Sequence, residues 1–166
     1  MPVLLVSDTS VLIDLQRGGI LEMVFQLPLE VGVPDVLYER ELHEWDGPAL
    51  QPLGLLVLAL DGDGVTLAQS YRRREPRLSL PDAFALALAK IGGHILLAGD
   101  ASLRTQAEIE NVECHGVLWI LDALEEQGIL PPADLLRALT AIAEHPRCRL
   151  PHAEIQRRVE RYRRAV

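Results

Sequence analysis

The sequence predicts an α/β fold, a three-layer α/β/α sandwich around a central, mainly parallel sheet. Three observations predict it. Short continuous apolar runs, such as residues 3–6 and 95–98, read as strands buried on both faces. Between such runs lie stretches with apolar residues at helical spacing, above all "PDAFALALAKI" at 81–91. Aromatic residues make up only 4% of the chain. The core must therefore be Leu, Val, Ile and Ala, which suits helices packed on a sheet.

The elements follow in order. Residues 3–6 form the first strand. Residues 11–25 carry helical spacing broken at Gly18-Gly19, which predicts two helices. Residues 31–33 form a second strand, and Pro34 opens a helix at its favoured first position, running to about Trp45. Gly47, Pro48, Pro52 and Gly54 make 46–54 a loop. Residues 55–60 are a third strand, "DGDG" at 61–64 a turn, and 65–74 a helix. The helix 81–91 is stopped by Gly92-Gly93. A strand at 95–98, a helix at 101–109, a short strand near 113–117 and a helix over 118–127 follow. Two more helices, about 132–144 and 152–164, close the chain. No repeat or linker interrupts the sequence, so one domain is expected over 1–166, with a core at about 3–120 and a C-terminal helical extension at about 130–166.

Composition removes several classes of function. A net charge of −8 and a pI of about 5.1 argue against a surface that grips nucleic acid by charge all round. Local basic patches beside an acidic, metal-filled site remain compatible with it. Two cysteines, Cys114 and Cys148, give no disulfide framework. No basic segment precedes an apolar stretch, and the longest apolar run, 53–60, is far shorter than the roughly 20 residues of a membrane span. The expected location is the cytoplasm.

In a parallel sheet, ligands bind at the carboxyl ends of the strands. Four acids qualify by position. Asp8 follows the first strand, Glu39 lies in the first turns of the helix after the second, Asp82 begins the Ala/Leu helix, and Asp100 follows the strand at 95–98. Singly, each has a plain structural explanation: Asp8 or Asp100 as a helix N-cap, Asp82 as part of a capping box with Ser79, Glu39 as a solvated carboxylate. Together they would repel one another, and such a cluster lasts only with cations or with raised pKa values. An all-oxygen ligand set suits Mg²⁺ or Mn²⁺ and not zinc.

"LLVSDTSVLIDL", "VPDVLYEREL", "LSLPDAFALALA" and "ILLAGDASLR" resemble, in order and spacing, the PIN-domain family of metal-dependent nucleases, which includes the VapC-like toxins of toxin–antitoxin pairs. The resemblance covers about residues 3–120, and "GVLWILDALEEQGIL" looks like the closing strand and helix of one PIN subgroup. The resemblance implies a PIN-like fold with Asp8, Glu39, Asp82 and Asp100 as catalytic metal ligands, and with Thr9 or Ser10 holding Asp8 or a metal-bound water. Spacing from Val36 favours Glu39 as the second acid, whereas the Glu-Leu pair at 41–42 would select Glu41. The sequence departs from the family in lacking a further acid close after Asp100; the next is Glu108. The implied function is an Mg²⁺- or Mn²⁺-dependent endoribonuclease cutting single-stranded RNA. It could be a toxin with an antitoxin protein as partner, and a homodimer. The alternative is a catalytically inactive PIN-like module that binds RNA or protein.

Other signals are weaker. Arg72, Arg73, Arg74 and Arg77 could hold a nucleic-acid backbone, or be a solvated helix end. The tail "EIQRRVERYRR" could bind RNA or dock a partner, or pack Ile155, Val159 and Tyr162 inward as an amphipathic surface helix, the preferred expectation. Cys114, His115, His145 and Cys148 lack zinc-site spacing, and "DGDG" lacks the later ligands of a calcium loop. Asp14 reads as a helix-surface acid. A receiver domain would need a Lys near the end, but the only Lys is Lys90, and a haloacid-dehalogenase-like phosphatase would need an Asp where Ser10 stands.

Overall fold

The computed structural model describes residues 3–166. From β1 (Val3–Ser7) the chain builds outward to β2 (Leu29–Pro34) and β3 (Leu56–Leu58). It then returns to the other side of β1 for β4 (Ile95–Leu97) and β5 (Cys114–His115). The order is β3-β2-β1-β4-β5, and every pair is parallel. The crossovers therefore leave β1 in opposite directions toward β2 and β4. That reversal opens a crevice at the carboxyl ends of β1 and β4.

The strands are mainly apolar because both faces are covered. Leu5 and Leu97 face one layer, formed by α1 (Thr9–Arg17), α7 (Val117–Glu126), α8 (Pro132–Glu144) and α9 (His152–Ala165). Val6, Leu96 and Ala98 face the other, formed by α4 (Gly62–Arg74), α5 (Leu80–Gly92) and α6 (Ala101–Ile109). Adjacent residues thus serve opposite cores, as the period of two in a strand requires. Leu5, Leu12, Leu97 and Leu121 are at most 1% exposed, and each contributes roughly 2 kcal/mol of burial. The small side chains Ala83, Ala85, Ala87 and Ala89 let α5 lie close against the sheet and α4. Gly93 ends α5 in the left-handed region, φ 65°.

Four local expectations are corrected. The helix expected over 34–45 is broken: α2 (Asp35–Leu37) passes into a π-helix, Tyr38–Leu42, with His43 N–H donating to Tyr38 O at 2.8 Å. The loop expected over 46–54 contains α3 (Gly47–Leu50) and a 3-10 turn, Gln51–Leu53, because proline is compatible with a first helical turn. "DGDG" is the start of α4, since the Asp61 carboxylate accepts from Gly64 N–H at 2.8 Å and caps the helix. The second helix expected within 11–25 is a 3-10 segment, Leu21–Gln26.

The C-terminal tail is a packed helix. Ile155, Val159 and Tyr162 are buried in the core shared with α1 and α7. Arg158, 8% exposed, donates to both carboxylate oxygens of Asp122 at 2.9 and 2.7 Å and to Glu154 at 3.0 Å. Arg161 pairs with Asp122 and Glu125. These arginines fasten α9 to α7. Arg158→Ala is expected to cost about 2 kcal/mol by urea denaturation, less than for a fully buried pair because Asp122 is partly solvated. A loss below about 0.5 kcal/mol would reduce the network to an ordinary surface pairing. No helix among the described residues is long and apolar enough to cross a membrane.

Candidate active site

Asp8 sits at the crevice and ties its two walls together. Its N–H donates to Leu97 O at 2.9 Å, joining the ends of β1 and β4. Its Oδ1 accepts from Val11 N–H at 2.9 Å and caps α1. Its Oδ2 accepts from Ser10 Oγ at 2.8 Å and from Gly99 N–H at 2.9 Å. An ionised carboxylate offers about four acceptor positions, and these bonds, with a further one from Asp100 N–H, take up nearly all of them. At 1% exposure, burial pushes the Asp8 pKa up, against the pull of its hydrogen bonds from Val11, Gly99 and Ser10.

Gly99 is a spatial requirement of this arrangement. A Cβ there would stand 2.5 Å from Ser10 Oγ. Gly99→Ala must therefore displace the hydroxyl that holds Asp8. The expected loss is about 1–2 kcal/mol in thermal unfolding, and an unchanged Tm would show that Ser10 can swing aside freely.

Asp100 caps α6, its Oδ2 accepting from Leu103 N–H at 2.9 Å, and remains exposed. Asp82 lies in the first turn of α5. Only half of the expected capping box forms: Ser79 Oγ accepts from Asp82 N–H at 3.1 Å. The Asp82 carboxyl is pushed up to about 7, first by burial and then by the negative charges of Asp8, Asp100 and Glu41. The four acids thus share one electrostatic environment, although Asp8, Glu41, Asp82 and Asp100 come from four separate segments.

Glu41 also reaches this corner. Its carboxylate accepts a hydrogen bond from Thr9 Oγ1, next to Asp8. Glu39 and Glu41 are both exposed, but only Glu41 is among the charges acting on Asp82. The preference for Glu39 rested on α-helical spacing from Val36. Tyr38–Leu42 is a π turn closing i→i+5, so α-helical spacing does not give the phase of this segment. Of the two hydroxyls, Ser10 holds Asp8 and Thr9 holds Glu41.

The donor set is all oxygen, negative and partly desolvated, which fits a hard divalent cation. Among the described residues, no three Asp, Glu, His or Cys side chains are gathered tightly enough to close on one ion. Like charges brought to one corner carry a cost that a bound cation would offset. The same absence covers the Cys114–His115 and His145–Cys148 pairs.

Around the acids, Arg77 is bonded to Glu75 and lies near enough to Asp100 for their charges to interact. Arg74 is committed to Gln106 and Glu110, which fastens α4 to α6. Asp14 pairs with Arg17 at 3.4 Å. Two arginines that sequence reading did not single out, Arg104 and Arg149, line a cleft of about 130 Å³ together with Ser10 and Gly99. Arg104 could have been found from its place one helical turn after Asp100, whereas Arg149 carries no local signal.

A family model described as a PIN domain matches residues 4–164, which extends through α8 and α9. No curated protein matches the chain.

Proposed function

The chain belongs to the PIN-domain family, whose members are generally nucleases, and on that premise we propose that it is a divalent-cation-dependent endoribonuclease acting on single-stranded RNA. The observation that carries the proposal is the gathering of Asp8 and Asp100 at the ends of β1 and β4 with Asp82 at the start of α5 and Glu41 held by Thr9, an arrangement in which burial first and the other three charges next raise the Asp82 pKa. Asp8, Glu41, Asp82 and Asp100 would hold Mg²⁺ or Mn²⁺, and Glu39 is not carried forward. The cation would supply charge neutralisation at the phosphodiester and acidify water enough to make it a nucleophile near neutral pH.

The chain's own residues have separate duties. Ser10, Gly99 and Val11 fix the Asp8 carboxylate in one orientation, so no reorganisation is needed when substrate arrives. Thr9 holds Glu41 against the same corner. Asp100, the most solvated of the named acids at a helix N-terminus, stays accessible from solvent. The finer parts of the proposal, a toxin role with an antitoxin partner and a homodimer in the cytoplasm, rest on the family resemblance.

The test is incubation of labelled single-stranded RNAs with the protein and Mn²⁺, Mg²⁺ or EDTA. Cutting with either metal and none in EDTA is the expected result. Folded protein that binds RNA yet cuts under no metal would favour the non-catalytic binding module.

A further inference from the structure

We infer that the cleft running from the acidic corner past Arg104 to the His115–Trp119 pair seats one nucleotide of a single-stranded RNA beside the bond to be cut. On this inference Arg104 and Arg149 hold its phosphate and the aromatic pair receives its base. The inference rests on the ribonuclease proposal and adds the path of the substrate.

Two cavities form this path. The first, about 130 Å³, begins at Ser10 and Gly99, the residues that hold Asp8, and carries both arginines. The second, about 280 Å³, shares Arg104, Gly116, Val117, Leu150 and Pro151 with the first and ends at His115 and Trp119. Arg104 stands at the junction of the two.

Charge favours an anion here. Most arginines near α7 and α9 are tied to carboxylates, but Arg104 and Arg149 make no ion pair among the described residues. The acids that border the cavities are answered already: Asp14 by Arg17, and Asp122 and Glu154 by Arg158. Two guanidiniums without an ion-pair partner, lining one cleft, offer charge and hydrogen-bond donors to a phosphate.

The far end suits a flat ring. His115 and Trp119 stack with centroids 4.5 Å apart and planes 6° from parallel, and Glu113 holds the His115 ring at 2.9 Å. Base-on-aromatic stacking tolerates any base, so the cleft would bind without strong sequence preference. Gly116, between these elements, leaves room for Arg104: a Cβ there would lie 3.2 Å from the guanidinium.

The test uses intrinsic fluorescence in EDTA, so that binding is read without cleavage. Trp45→Phe leaves Trp119 as the sole tryptophan. Titration with a ribopentanucleotide should quench Trp119 saturably. Arg104→Gln should weaken binding about tenfold for intact and abasic strands alike, and His115→Ala about tenfold for the intact strand only. Binding seen by anisotropy with Trp119 unquenched, no binding, or affinity indifferent to Arg104→Gln would overturn the inference. A protein that shows the expected binding pattern yet never cuts with Mn²⁺ would instead overturn the ribonuclease proposal and leave the cleft standing.

Discussion

Asp8→Asn is expected to lower metal-dependent RNA cleavage about a thousandfold, the rate equivalent of roughly 4 kcal/mol, while leaving the protein folded. The substitution keeps shape and one carbonyl oxygen but removes the charge and one acceptor oxygen, with its two positions. Asp8 is the acid held most completely by the fold, with donors from α1, from Ser10 and from the end of β4. An amide nitrogen facing Ser10 Oγ and Gly99 N–H would meet donors with a donor, a cost of about 1–2 kcal/mol. Relief from burying a charge in a site that already raises the Asp8 pKa offsets that cost. Thermal unfolding in EDTA should therefore move by only a few degrees while activity collapses. Cutting that survives in Asp8→Asn would place the chemistry elsewhere. If the protein acts as a toxin, wild-type expression should arrest growth and Asp8→Asn should not.

What the sequence made legible depended on how local each determinant was. Asp8 and Asp100 could be found because a strand ending is marked by its own apolar run, and Asp82 because Ser79, Pro81 and the alanines announce a helix start. Their convergence followed from strand alternation alone, once the sheet was parallel. The second acid was not legible in this way. Glu39 and Glu41 are two residues apart, and choosing between them requires the phase of the helix, which the π turn at Tyr38–Leu42 changes. That turn has no composition signature. The cleft beyond the acids was equally hidden, because it is made by residues far apart in sequence: Ser10, Arg104, His115 and Arg149. The tail shows the opposite case. Its arginines suggested RNA on charge alone, but the spacing of Ile155, Val159 and Tyr162 was the better guide, and Asp122 and Glu125 take up Arg158 and Arg161.

The acidic corner should also make the cation-free protein lose stability as pH rises. Asp82 has an ordinary pKa of 3.8 and one of about 7 in the fold. The folded state therefore binds the proton more tightly than the unfolded state, and stability falls with pH between these values. Below about pH 4 the carboxyl is neutral in both states and imposes no penalty. Above about pH 7 it is charged in both, and the folded state bears the whole cost of burial and of repulsion from Asp8, Asp100 and Glu41. The shift taken at face value corresponds to about 4 kcal/mol, and partial solvation of the Asp82 side chain reduces this to about 2 kcal/mol. Glu75 and Glu110, whose pKa values are lowered, act in the opposite sense, so the informative quantity is the difference between wild type and Asp82→Asn. In EDTA that variant should be more stable than wild type by about 2 kcal/mol at pH 8 and nearly equal to it at pH 4. A cation that neutralises the corner should reverse the order. At a hundred times its dissociation constant, Mg²⁺ or Mn²⁺ adds about 2.7 kcal/mol to wild type and less to Asp82→Asn, which has lost a ligand. Urea denaturation at pH 4 and pH 8, with and without metal, measures all these terms. Equal stability of the two proteins at pH 8 in EDTA would mean that the four carboxylates do not share one field, and the basis for assigning a cation to this corner would go with it.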